Sequence, residues 1–210
     1  MKISDISLDE AKSAISVKLN EVITHLGLKP VASVDIFGQL EAAVKVHRYV
    51  AMHNTYQDSI MDDKKRYEAN GDAMSTYDLY QALVYQKAVC TSNSLEVAAL
   101  LGRVNVIAFC VYLDSTDGGG KHMANLVLLG GHYYYFDATL ERYTHEKTHD
   151  DPNYQQLYVA GLGREVYESL YTPLSVLNLH VAVMPDLYLF ADAKDIPRSV
   201  ITMALDNQNL

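Results

Sequence analysis

Residues 121–141 read KHMANLVLLGGHYYYFDATLE, two apolar runs separated by Gly130 and Gly131. A pair of glycines between two such runs is typical of a β-hairpin with a two-residue turn. A turn of this length fixes the register of the two strands, so we expect Leu129 to lie opposite His132.

This register brings a histidine and an aspartate to one face of the hairpin. Counting back from the turn places Ala124 opposite Asp137 and His122 opposite Thr139, and side chains alternate between the faces of a strand. His122 and Asp137 are therefore predicted to be diagonal neighbours, whereas His132 falls on the opposite face. Burying a carboxylate in an aromatic strand is costly without a hydrogen bond, which a cross-strand histidine supplies.

Cys90 begins the helix predicted from AVCTSNSLEVAALL, residues 88–101. Unpaired N–H groups and the helix dipole stabilise a thiolate at this end of a helix. Free cysteines more often fill the core, so burial is the alternative for Cys90, and it is the interpretation we adopt for Cys110. Cys90, His122 and Asp137 are the parts of an activated thiol nucleophile, but their spacing does not establish that they meet.

Hydrophobic periodicity predicts helices first and strands later, an α+β class in a single domain of residues 1–210. The predicted elements are helices at 7–25, 35–54, 75–84 (opened by an N-cap cluster at 75–78) and 90–102, then strands at 104–113 and on either side of the hairpin turn. We divide the domain into N-terminal helices (1–74), a catalytic core motif (75–141) and a C-terminal extension packed on the core (142–210).

The C-terminal extension is punctuated by four prolines from Pro152 to Pro197. Its pattern predicts a helix near 158–171, a strand within 174–184 and a short helix after Pro197. His180, in the strand-like run, is predicted to be a core or edge residue.

The charge balance argues against two classes of partner. The formal net charge is -9 at pH 7, and no basic run exceeds residues 64–66, so nucleic acid and membrane surfaces are not expected partners. The N-terminus lacks the apolar stretch of a signal peptide, which predicts a cytoplasmic protein, although secretion without a cleaved signal would leave no trace. Two cysteines do not make a disulfide framework, so we expect both reduced.

Three further patterns resemble ligand sites but are interpreted differently. Residues 145–149, HEKTH, match the zinc motif H-E-x-x-H, but the polar surroundings, Pro152 and the lack of a third ligand favour a solvated loop over a metal site at His145 and His149. His47 and His53, six residues apart, are expected to be surface or groove residues. The glycine-rich run at 115–120 is read as a surface loop. We therefore expect neither metal nor cofactor.

The stretch YDLYQALVYQKAVCTSNSLEVAALL (77–101), followed by the hairpin, resembles the transglutaminase-like superfamily. This superfamily is related to the papain-type cysteine proteases and is found in many bacterial proteins. The resemblance covers about residues 75–141. It implies a papain/transglutaminase-like core, in which the nucleophile helix packs on an antiparallel sheet. Carried over position by position, it implies that Cys90 is the nucleophile, His122 the general base and Asp137 the residue that orients it.

The resemblance implies acyl transfer from an amide of a protein or peptide through a thioester at Cys90. Water or a lysine amine could resolve the thioester, so proteolysis, deamidation and cross-linking all remain open. Some members of the superfamily have lost activity, so a catalytically silent module that binds a partner is the alternative. The oxyanion donors expected are the N–H of Cys90 and a second donor from Tyr85 or Gln86.

Two positions depart from the superfamily pattern. The superfamily commonly has Trp two residues after the histidine, where this chain has Ala124, and often Gly where this chain has Ala88; the chain contains no Trp. The support around the histidine or the substrate groove therefore differs from that of typical members.

Overall fold

The computed structural model describes residues 6–62, 71–114, 121–130, 132–139, 178–182 and 188–192, and it is a mixed α and β structure. The α-helices are α1 (Leu8–His25), α2 (Ile36–His53), α3 (Gly71–Tyr85) and α4 (Cys90–Arg103), and a 3-10 helix spans Asp58–Asp62. The strands are β1 (Thr55–Tyr56), β2 (Lys87–Ala88), β3 (Ala108–Asp114), β4 (Lys121–Leu129), β5 (His132–Phe136), β6 (Asn178–Ala182) and β7 (Tyr188–Asp192).

The two N-terminal helices lie where the sequence predicts them, each behind an N-cap. Ser7 and Glu10 form a capping box, with the backbone N–H of Ser7 donating to Glu10 Oε2 at 2.9 Å. The carboxylate of Asp35 accepts from the N–H of Gly38 at 2.9 Å. Each cap accepts from an N–H group of the first turn, which has no partner within the helix.

Helix α3 begins at Gly71, four residues before the predicted start, so that boundary was wrong. The side chains of Ser75 and Thr76, expected to cap the helix, lie in its interior and are buried. Ser and Thr hydroxyls inside a helix can bond to the preceding turn, so such residues do not require a helix end.

The predicted strand at 104–113 was also wrong at its start, because β3 begins at Ala108. Asn105 takes the left-handed conformation, with φ 63°. The N–H of Val106 bonds to the carbonyl of Leu101 at 3.0 Å, and that of Asn105 to the carbonyl of Gly102 at 3.2 Å. These two bonds end α4 in a Schellman motif. Asn105 and Val106, which the sequence analysis assigned to the strand, therefore belong to the cap at the end of the helix.

Strands β3 to β7 form one antiparallel sheet in the order β5-β4-β3-β6-β7. Leu129 pairs with His132 as predicted, and Gly130 turns the hairpin with φ 57°. Strand β6 lies within the predicted strand run of the C-terminal extension and pairs with β3, whereas β7 was not predicted. The helices predicted near 158–171 and after Pro197 lie outside the described residues.

Helix α4 lies at the centre of the fold, against the other helices on one side and β3 and β4 on the other. Its side chains are buried over 92–101, including the polar ones. Just before it, β1 and β2 pair in parallel, with Tyr56 opposite Ala88. The chain therefore emerges from a short strand pair directly into the helix that begins at Cys90.

Candidate active site

Cys90 occupies the first position of α4 and is partly exposed. The helix start is held locally by two contacts. The N–H of Val89 donates to Ser92 Oγ at 3.4 Å, and Thr91 Oγ1 donates to Asp78 Oδ2, on α3, at 3.3 Å. The thiol thus lies at the accessible end of an otherwise buried helix, where unpaired N–H groups favour an anion.

His122 and Asp137 form the pair that the hairpin register predicts. Nε2 of His122 lies 2.7 Å from Oδ2 of Asp137, and their side chains are 14% and 0% exposed. A carboxylate in this position fixes the orientation of the imidazole and satisfies the buried charge. It also leaves Nδ1 as the ring nitrogen able to meet a nucleophile.

The side chains of Cys90 and His122 are hydrogen-bonded to each other, so the three predicted residues meet in one cluster. Burial lowers the pKa of His122, but the charge and hydrogen bond of Asp137, together with those of Cys90, raise it to about 10. The ring is therefore an imidazolium at neutral pH, which stabilises a neighbouring thiolate.

Two hydrogen bonds fix α4 against β4 next to this cluster. Ser94 Oγ donates to the carbonyl of Met123 at 3.0 Å, and Asn125 Nδ2 donates to the carbonyl of Ser94 at 2.9 Å. All three residues are buried. Because Met123 adjoins His122, these bonds set the distance between the helix with the thiol and the strand with the imidazole.

Tyr56, on β1, is a neighbour of the site that the sequence analysis missed. The side chain of Tyr56 is 43% exposed. Its partial burial raises its pKa to about 12, and the charges of Cys90, Asp58 and Asp137 act in the same direction. The phenol is therefore a neutral hydrogen-bond donor close to the cluster. The only signal in the sequence is a tyrosine three residues after a helix end, which is too common to be used.

The structure contradicts the prediction that His47 is a surface or groove residue. His47 is 1% exposed, and its ring packs edge-on against Phe136 with centroids 5.1 Å apart. Burial lowers its pKa to about 4, against the opposing charge of Asp137. The reason is helical spacing, because His47 follows buried Ala43 by four residues and precedes buried Val50 by three. His53 is exposed, as predicted.

Cys110 is fully buried on β3, as predicted for a thiol of the core. Its Sγ donates to the carbonyl of Ser94 at 3.3 Å. Burial raises the pKa of this thiol, and the hydrogen bond from Asn125 opposes that effect only in part. Both cysteines are free, so Cys110 serves as an internal reference for Cys90.

Several other predicted features have the following outcomes. Gln86 is exposed, with φ 54°, and its carbonyl accepts from the N–H of Thr55 at 2.7 Å; its part in an oxyanion hole stays a prediction. The HEKTH segment with His145 and His149, and the glycine-rich run at 115–120, lie outside the described residues. Within the described ranges, no group of three or more His, Cys, Asp or Glu could hold a metal ion.

None of the helices that the structure describes combines the length and apolar character needed to cross a bilayer.

No protein-family model matches the sequence, and no curated protein matches it. A solved structure described as the crystal structure of a TGase is similar to this chain, with a TM-score of 0.43 and 18% sequence identity. The similarity covers 66% of this chain and 35% of the TGase chain, so the chain spans about a third of that protein's length.

Proposed function

We propose that this protein is a thiol-dependent acyl-transfer enzyme with a transglutaminase-like core, acting on an amide of a protein or peptide. The observation that carries the proposal is the contact of one imidazole, that of His122, with both Asp137 and Cys90. The resemblance of residues 75–141 to the transglutaminase-like superfamily supports the same assignment of roles.

In the first half-reaction, the thiolate of Cys90 attacks the carbon of a carboxamide, and a new C–S bond forms. The C–N bond then breaks, and the imidazolium of His122 gives its proton to the departing amine or ammonia. The N–H of Cys90 is the first proposed donor to the developing oxyanion, with a second from Tyr85 or Gln86. Asp137 keeps the imidazole in position throughout.

In the second half-reaction, a nucleophile attacks the thioester while His122 takes its proton, and the thiolate is released. Water as this nucleophile gives deamidation of glutamine or cleavage of a peptide bond, and a lysine amine gives a cross-link. The chemistry at Cys90 is the same in each case, so the proposal covers all three outcomes.

The test is to trap the acyl-enzyme. The protein is incubated with an unstructured glutamine-rich protein and hydroxylamine, which converts a thioester to a hydroxamic acid and frees the thiol. By mass spectrometry, we expect an acyl adduct on the Cys90 peptide in samples without hydroxylamine and hydroxamates on the substrate in samples with it. Cys90→Ala should abolish both, and Cys110→Ala, the matched control, should retain both.

Product formation that persists in Cys90→Ala would contradict the proposal. So would the absence of adduct and product with a range of amide substrates, provided that the protein is folded. That second result would favour the alternative of a silent module that binds its partner without acylating Cys90.

A further inference from the structure

A chain of four buried or partly buried side chains runs beside the candidate active site, and the proposed reaction does not use it. Asn54 Nδ2 donates to Glu96 Oε2 at 2.6 Å and to Asn93 Oδ1 at 2.9 Å. Asn93 Nδ2 donates in turn to Thr139 Oγ1 at 2.9 Å. We call Glu96, Asn54, Asn93 and Thr139 the polar relay.

The polar relay joins the segments that carry the site. Asn93 and Glu96 lie on α4, three and six residues after Cys90. Thr139 follows Asp137 by two residues, and Asn54 caps the end of α2 just before β1. Asn54, Asn93 and Glu96 are at most 2% exposed, so breaking one bond would leave polar groups buried without a partner, which is unfavourable.

The protonation state of the Glu96 carboxyl determines which groups donate and which accept in these hydrogen bonds. An ionised carboxylate only accepts, so Asn54 must present its N–H groups, and it gives one to Glu96 and one to Asn93. Asn93 then presents its oxygen to Asn54 and its N–H to Thr139. The hydroxyl oxygen of Thr139 is thereby fixed as an acceptor.

A protonated Glu96 permits the opposite order. Its O–H can donate to the oxygen of a turned Asn54 amide, which can also accept from the N–H of a turned Asn93. Asn93 then presents its oxygen to Thr139, whose hydroxyl must donate. One proton on Glu96 thus allows every bond to reverse and the hydroxyl two residues from Asp137 to reorient.

We propose that Glu96 is a positioning residue, which acts through Asn54 and Asn93 on the Thr139 segment and thereby on the placement of Asp137 against His122. The inference rests on the proposed function of Cys90, His122 and Asp137. It adds a long-range determinant of that site on the buried face of the nucleophile helix.

Glu96 is the group of this region whose titration falls near neutrality. Burial raises its pKa to about 7, although the hydrogen bond from Asn54 opposes this. Tyr49, on α2, is coupled to Glu96, and burial with that charge raises its pKa to about 12. The pKa of His47, lowered by burial, is about 4, and that of His122 is about 10, so these three groups keep one charge state near pH 7.

Two exposed histidines have rings in contact with that of Tyr49, and each needs a control variant. The ring of His53, at the end of α2, stacks on Tyr49 with centroids 4.0 Å apart. The ring of His25, at the end of α1, lies 6.2 Å from that of Tyr49. His25→Gln and His53→Gln remove these imidazoles and leave the polar relay intact.

The test follows the ring nitrogen signals of His122 and the side-chain amides of Asn54 and Asn93 by NMR of the full chain, from about pH 5 to about pH 9, a range that spans the pKa of Glu96. We expect all of them to shift with one midpoint in the wild type. Glu96→Gln should remove the step from all signals. Thr139→Val should keep it at the two amides and remove it from His122, because the last link is missing.

The rate of Cys90 alkylation, measured on the same samples, reports the consequence for the nucleophile. We expect a change of about tenfold across the same midpoint in the wild type, the scale of a small misplacement of a reacting group. Glu96→Gln should show no step, and the two histidine controls should keep it.

The inference is overturned if His122 shows no step in the wild type, or if the step survives in Glu96→Gln or in Thr139→Val. Its failure is distinguishable from failure of the proposed function. If Cys90 is unreactive but the His122 signals show the predicted pH-dependent step, the proposed function is rejected and the positioning role of Glu96 is retained. If Cys90 is reactive but the His122 signals show no step, the positioning role is rejected and the function is retained.

Discussion

Nε2 of His122 lies 2.7 Å from Oδ2 of Asp137, across adjacent ends of one hairpin and with the carboxylate fully buried. A buried carboxylate at this distance holds the imidazole in its charged form and in one orientation. The geometry of the candidate site depends on this pair, and the first prediction concerns it.

Asp137→Asn keeps the shape of the side chain and removes its charge. We expect the pKa of His122 to fall from about 10, because the charge of Asp137 no longer opposes the effect of burial. NMR titration of the ring measures this directly. Asp58→Asn, which removes an exposed carboxylate, is the control and should leave His122 unchanged; equal values in the wild type and Asp137→Asn would refute the pairing.

Ser94→Ala tests how α4 is held against β4. The substitution leaves the buried carbonyl of Met123 without its donor, so we expect a loss of about 1–3 kcal/mol in the free energy of unfolding. Denaturant titration gives that value, and slower alkylation of Cys90 should accompany it. Ser33→Ala, at an exposed position, should change stability by less than about 0.5 kcal/mol. Equal stability of the two variants would show that the bond does not hold the helix.

Because Glu96 is a buried carboxyl, we expect the stability of the protein to fall as pH rises. Its pKa is raised from 4.5 to about 7 in the folded protein, so between these values the folded state binds more protons than the unfolded state. Stability should therefore fall as pH rises through this window, by on the order of 3 kcal/mol at about 1.4 kcal/mol per tenfold change in proton binding.

Unfolding curves of the wild type and Glu96→Gln, recorded side by side, measure that contribution. As pH rises, the free energy of unfolding of the wild type should fall relative to that of Glu96→Gln. The difference should become constant above the pKa of Glu96 in the folded protein. His53→Gln serves as the control, because it removes a nearby exposed imidazole and leaves Glu96 in place. A difference that does not vary with pH would mean that Glu96 is not a buried carboxyl.

Because His47 is a buried imidazole, we expect the protein to lose stability as pH falls below the ordinary pKa of histidine. Its pKa is lowered from 6.5 to about 4 by burial, so the unfolded state binds more protons as pH falls through that window. The wild type should lose stability there relative to His47→Leu, which cannot titrate. Thermal unfolding at several pH values measures this, and parallel profiles for the two proteins would contradict a neutral buried imidazole.

The hairpin shows what a sequence can predict. Its two-residue turn and the alternation of side chains gave the register of Leu129 with His132 and the contact of His122 with Asp137, because both follow from local geometry. The N-terminal helices were predicted from hydrophobic periodicity, which is also a local property of the sequence. These features need no knowledge of what packs where.

The features that were missed depend on tertiary packing. Ser75 resembles a cap residue but lies inside α3, and Val104 resembles a strand residue but closes α4. His47 differs from these, because its helical spacing from Ala43 and Val50 is a local signal that was not used. Glu96 looks like an ordinary charged residue of an exposed helix face. Its burial follows from the central position of α4, which only the assembled fold defines.

The central claim is that the surroundings of Cys90 make its thiol a nucleophile, and one measurement tests it most directly. Cys90 and Cys110 are alkylated in the native protein over a range of pH and quantified separately by peptide mass spectrometry. We predict that Cys90 reacts rapidly well below about pH 8.5, where an ordinary thiol is protonated, and that buried Cys110 stays unreacted. A Cys90 rate that rises only with the titration of an ordinary thiol would contradict the account.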